Sequence, residues 1–88
     1  MGIRVTPVEL HGMAKDMRTH AGKAEALAAE IETTVRKALD AWEGNAQKDY
    51  EARFREVLPT LKTQLPELIR SMATDADNRA TRYEEADS

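Results

Sequence analysis

From Leu10 onwards the apolar residues of the first half of the chain recur in alternating steps of four and three. They are Leu10, Ala14, Met17, Ala21, Ala24, Ala28, Ile31, Val35, Ala38 and Trp42. An unbroken alternation of this kind predicts a helix with a coiled-coil seam rather than the broader stripe of a globular helix. Half of the seam is alanine, which lets a neighbouring helix approach closely but buries little area per residue. Met13 and Leu27 widen one edge. Thr6-Pro7-Val8-Glu9 marks the start: Thr6 as N-cap, Pro7 in the first helical position, and Glu9 placed to close a capping box. The end falls at Trp42-Glu43-Gly44-Asn45, with Gly44 expected as the left-handed residue that closes the helix and Asn45 as the cap of the next.

A second periodic stretch runs through Tyr50, Phe54, Val57, Leu61, Leu65, Leu68, Met72 and Ala76 to Tyr83. Two long helices joined by a tight turn lie antiparallel. The fold expected is therefore all-α, an antiparallel helical hairpin in a single domain over 1–88. Its parts are helix 1 at about 7–41, a turn at 42–45, helix 2 at about 46–83 and an acidic tail at 83–88. Pro59 and Pro66 stand against a straight second helix, since interior proline removes a hydrogen bond and crowds the preceding turn. Neither is preceded by a good cap, which favours a bend over a break. Their spacing of seven predicts that both lie on one side, away from the strongest apolar positions.

A lone hairpin buries only one face of each helix, and a core this small ordinarily needs disulfides, metals or association. With no cysteine, disulfides and thiol chemistry are excluded. Association remains, and its simplest closed form is a two-fold dimer making a four-helix bundle. Leu10, Met13, Leu27, Leu58, Leu61, Leu65, Ile69 and Met72 are the candidates for the second apolar face.

Composition adds the distribution of charge. Charged residues make up 33% and apolar ones 41% of the chain, with a net charge of −3. Up to Arg82 the acidic and basic residues cancel, so the excess sits in Tyr83-Glu84-Glu85-Ala86-Asp87-Ser88. The lack of a basic surplus argues against nucleic acid as partner. No window has the length and apolarity of a signal peptide or membrane span, so stable membrane insertion is not expected. His11 and His20 do not share a helix face, and Asp16 with His20 supplies two ligands where a metal needs more. No base and acid surround the two serines, and the glycines form no phosphate loop. No catalytic, metal-ligating or cofactor-binding residue is assigned, and the chain is not expected to be an enzyme.

Trp42-Glu43-Gly44 at the turn and a Tyr83-to-Asp87 spacing of four at the end complete the pattern. In a cysteine-free hairpin of this length, W-x-G and Y-x-x-x-D together resemble the WXG family, small helical hairpins exported by type VII (ESX) secretion systems. The resemblance implies a substrate or co-secreted carrier of such a system, cytoplasmic first and then secreted without a cleavable signal peptide. Trp42 and Gly44 would match the turn motif, and Tyr83 and Asp87 the tail signal, both read by the FtsK/SpoIIIE-type ATPase of the machinery. The partner would be a second copy, as homodimer, or a paralogue, as heterodimer. Two-fold antiparallel pairing would bring the Trp42 turn of one protomer beside the Tyr83 tail of its partner. A cytosolic coiled-coil adaptor is the competing expectation, and a membrane-active effector ranks below it, for want of a strongly apolar lipid-facing stripe.

Overall fold

The computed structural model describes residues 5–87, with side chains described as far as Ala86. Helix α1 spans Pro7–Asp40, helix α2 spans Asn45–Pro59, and helix α3 spans Leu65–Asp87, with a wide π-type turn at Thr60–Gln64 joining the last two. The chain folds as one hairpin of 66 × 21 × 16 Å. No strand occurs among the described residues.

α1 begins as its cap residues dictate: the Thr6 hydroxyl accepts a hydrogen bond from the Glu9 amide at 3.1 Å, and Pro7 fills the first turn, where its missing N–H is no loss. The helix ends four residues before Gly44. Ala41, still right-handed, donates to the Ala38 carbonyl at 3.2 Å, and the Gln47 side-chain amide donates to the Leu39 carbonyl at 3.3 Å. Gly44 therefore does not close α1, contrary to the sequence expectation. It is the residue that starts α2, at φ 106° and ψ −175°, and Asn45 is already helical. That backbone conformation is essentially restricted to glycine.

The second helical stretch keeps right-handed geometry through both prolines. Pro59 and Thr60 have φ/ψ of −60°/−32° and −61°/−45°. Pro66 lacks an amide hydrogen, and its ring crowds the carbonyl four residues back. The chain answers by widening the preceding turn, with the Leu65 amide bonding to the Thr60 carbonyl five residues back. One extra residue is absorbed there, which rotates everything before it relative to everything after. For that reason the two prolines do not share an environment. Pro59 is exposed, whereas Pro66 is fully buried, which corrects the expectation that both face away from the apolar contacts.

The seam between α1 and α3 is built from the smallest residues. Ala14, Ala21 and Ala28 are buried on one helix, and Pro66, Ala73, Ala76 and Ala80 on the other. Three ion pairs set the register: Arg18–Asp77 at 2.6 Å, Glu25–Arg70 at 2.6 Å and Glu32–Lys62 at 2.8 Å. On that register the buried small residues of α1 face those of α3, and Ala14, Ala73 and Ala76 form one buried cluster with Met17 packed against it. A slip of one heptad either way sets Glu25 against Asp77 or Arg18 against Arg70. The first slip also pairs Glu32 with Arg70 and Arg18 with Glu84, and the second Glu25 with Lys62, so each neighbouring register exchanges part of the ladder for one like-charge contact.

Close approach of small residues leaves the large ones outside. Leu68 is 63% exposed, Met72 61%, Leu27 56%, Met13 49% and Leu65 42%. α2 has no buried residue, and near the turn the buried side chain is Leu39 of α1.

Candidate functional site

The four residues singled out by the sequence fall at opposite ends of the hairpin. At the turn, the Trp42 amide donates to the Leu39 carbonyl at 3.2 Å, and α2 opens with the Lys48 amide donating to the Gly44 carbonyl at 3.3 Å. Trp42 is 41% exposed. Its ring tilts against Tyr50 with centroids 5.7 Å apart and planes at 46°, within the range of favourable aromatic pairs. Tyr50 is itself about half exposed. The turn therefore presents an open aromatic pair held at a fixed angle by the reversal that Gly44 permits.

At the other end, α3 continues to Asp87. Tyr83 and Asp87 are thus one helical turn apart, and Tyr83 is 53% exposed. The Asp87 side chain lies outside what the structure describes. A single chain does not bring Trp42 and Gly44 together with Tyr83 and Asp87, because the long axis of 66 Å separates turn from tail.

Between the two ends runs a shallow apolar groove. It consists of two separate depressions, one lined by Leu10, Met13, Met17, Met72 and Ala76 with Ser71, Asp75 and Arg79 at its edge, the other by Ala24, Leu27, Ile31, Leu61 and Leu65. The opposite flank is ionic. His11, Arg18, Glu25 and Glu32 recur every seven residues on α1 and pair across the hairpin with Asp77 and Glu84, Asp77, Arg70 and Lys62. Sequence inspection missed this ladder. Its signal was the heptad spacing of charges on α1 against opposite charges at 84, 77 and 70, disguised at Lys62 by the extra residue of the π turn.

The ladder shifts its own titrations. The hydrogen bond from Arg70 holds the Glu25 carboxyl below its ordinary range, and bonds from Lys62 and then Arg36 do the same for Glu32. Bonds from His11 and then Arg18 depress Asp77. The bonds to Asp77 and then Glu84 raise His11 above the ordinary imidazole value. Both ring nitrogens of His11 are engaged, so neither is free to ligate a metal. Among the described residues no cluster of three or more metal-ligating side chains is poised to hold an ion. No helix there is long and apolar enough to cross a membrane.

The profile of the WXG100 family, "proteins of 100 residues with WXG", matches residues 2–88. Two solved structures share the fold. EsxA of Geobacillus thermodenitrificans superposes with a TM-score of 0.79 at 24% identity, covering 98% of this chain and 92% of that one. A secreted protein of Bacillus anthracis, EsxB, gives a TM-score of 0.79 at 22% identity, covering 100% and 99%. No curated protein sequence matches the chain.

Proposed function

This chain belongs to the WXG100 family, and from that premise we propose that it is a substrate or co-secreted carrier of a type VII (ESX-like) secretion system, exported as a folded dimer. The observation that carries the reading is the apolar stripe left uncovered by the hairpin, from Met13 and Leu27 on α1 to Leu65, Leu68 and Met72 across from them. A soluble monomer seldom presents so many large apolar side chains along one face. A second copy, or a paralogue with the same stripe, covers it by forming a four-helix bundle.

The placement of the motifs supports an antiparallel arrangement. Two-fold antiparallel pairing sets the Trp42–Tyr50 turn of one protomer beside the α3 terminus of its partner, uniting Trp42 and Gly44 with Tyr83 and Asp87. The composite surface then exists only after folding and pairing, and it is what the FtsK/SpoIIIE-type ATPase reads. An exposed aromatic next to a helical terminus is a recognisable anchor for such a receptor. In this reading the protein is cytoplasmic before export and extracellular after it, and it performs no catalysis.

The experiment is export of Tyr83→Ala from cells carrying an active secretion ATPase. The variant is expected to stay in the cell with unchanged helix content and unchanged mass in solution. Normal appearance in the culture supernatant would remove the tail from the signal. A chain lacking residues 83–88 distinguishes the remaining reading, since a cytosolic adaptor keeps its partner without them and its wild type never leaves the cell.

A further inference from the structure

His11 lies between two carboxylates of the opposite helix. Its Nδ1 is 2.7 Å from an oxygen of Asp77, and its Nε2 is 2.7 Å from an oxygen of Glu84. A neutral imidazole has one N–H and one lone pair. At 2.7 Å an ionised carboxylate satisfies the first and repels the second, so both contacts together require the imidazolium. Asp77 stays ionised because Arg18 also holds it, at 2.6 Å.

The position of the clasp matters as much as its chemistry. Glu84 adjoins Tyr83, in the last turns of α3. The chain end there carries Glu84, Glu85 and Asp87, and the last turn of α3 contains no basic residue. Negative charge at a helix C-terminus opposes the helix dipole, so this end is intrinsically prone to fray. A cation supplied from α1 counters that tendency.

We propose that His11, Asp77 and Glu84 form a proton-operated clasp that holds the Tyr83-bearing end of α3 helical and docked on α1. Its relevance to export rests on the tail being the secretion signal; the clasp itself does not. The charged groups facing the ring are Asp77 and Glu84 from α3, with Arg18 of α1 acting through Asp77, while α2 and the π turn lie towards the other end of the hairpin. Because the bonds to Asp77 and Glu84 raise the His11 titration, the stabilisation is complete below the ordinary imidazole value near 6.5 and is lost as pH rises through the elevated one. Acid keeps the tail docked, and alkali releases it.

The test is an NMR titration of the full chain from about pH 5.5 to about 8.5, spanning the ordinary imidazole range, with His11→Gln identifying the His11 ring signals. The His11 midpoint is expected above the free-imidazole value and is expected to move down in Glu84→Gln. The Cα shifts of Tyr83 and Glu84 should lose helical character with the same midpoint in the wild type and stay flat in His11→Gln. A His11 midpoint at or below the free value overturns the clasp, and so do tail shifts that ignore it. Tyr83→Ala retains all three clasp residues. Normal export of that variant would therefore defeat the signal reading alone, and a free-imidazole titration of His11 would defeat the clasp alone.

Discussion

Replacing Ala73 with Leu probes the contact on which the hairpin depends. Ala73 has no exposed surface and belongs to the buried cluster that includes Ala14 of α1, which has none either. The substitution adds three carbons at a point where both helices present only a methyl group. The new side chain must push α1 and α3 apart or adopt a strained rotamer. Adding bulk to a filled interior costs about 1–3 kcal/mol, and complete burial on both sides places this site at roughly 2–3 kcal/mol. In a domain of this size each kcal/mol lowers Tm by roughly 4–8 °C, so the expected fall is about 8–24 °C. Thermal unfolding followed by circular dichroism measures it. Both proteins must be held at one protomer concentration, because association makes Tm depend on concentration. Ala26→Leu is the control, since Ala26 is exposed on α1 and the change there should stay within about 0.5 kcal/mol. If Ala73→Leu melts with the wild type, or Ala26→Leu falls as far, the alanine seam is not where the helices meet.

Other consequences are equally direct. Gly44→Ala meets no atom within 4 Å of the added Cβ, so its whole cost is backbone strain at φ 106°, about 1–3 kcal/mol in urea unfolding; a neutral result would mean that the turn relaxes freely. Leu68→Glu combined with Met72→Glu charges the exposed stripe and should reduce the mass in solution, by light scattering, to that of one chain; a persisting dimer would place the interface elsewhere. The depressed carboxyls of Glu25, Glu32 and Asp77 contribute stability that is present above their ordinary titration range and lost as pH falls through the lowered values. Acid unfolding should accordingly be less steep in Glu32→Gln than in the wild type, and an unchanged profile would detach the ladder from stability. Glu25→Gln at neutral pH should move the melting point little, and less still in high salt, because its partner Arg70 is also solvent-exposed.

The hairpin was legible in the sequence because its signals are local. Thr6 and Pro7 start a helix by their own stereochemistry, and a period of four and three residues needs no knowledge of a partner. Choosing between faces of the second helix does need that knowledge. The hydrophobic sequence pattern runs through Leu65, Leu68 and Met72, yet those side chains lie outside while Pro66, Ala73 and Ala80 lie inside. Tight helix approach selects for the absence of side chain, which a search for apolar bulk ranks last. Gly44 was recognised as special, but not as the start of α2, because positive φ is equally useful at either edge of a turn. At the candidate site, Trp42 and Tyr83 are found as exposed aromatics at opposite ends. The pairing of His11 with Asp77 and Glu84 was hidden, since it links residues 66 and 73 positions apart in the chain.

Small residues inside and large ones outside have a joint consequence. Alanines against alanines bury little area, so the hairpin by itself gains little hydrophobic stabilisation. Much of the chain's apolar surface becomes useful only when the face bearing Met13, Leu27, Leu65, Leu68 and Met72 is covered. Under the proposed pairing, folding and association are parts of one equilibrium. The ionic ladder on the opposite flank contributes mainly register, since exposed pairs are individually weak but the full set of cross-hairpin pairs forms only in the observed alignment. Register matters for the proposed signal, because turn and tail meet across a dimer only if each hairpin has its ends in place. Under that proposal, a receptor that reads Trp42 of one protomer beside Tyr83 of the other need not inspect the fold separately. The surface it recognises is absent from a monomer and displaced in a slipped hairpin, so recognition itself rejects unpaired or misregistered chains.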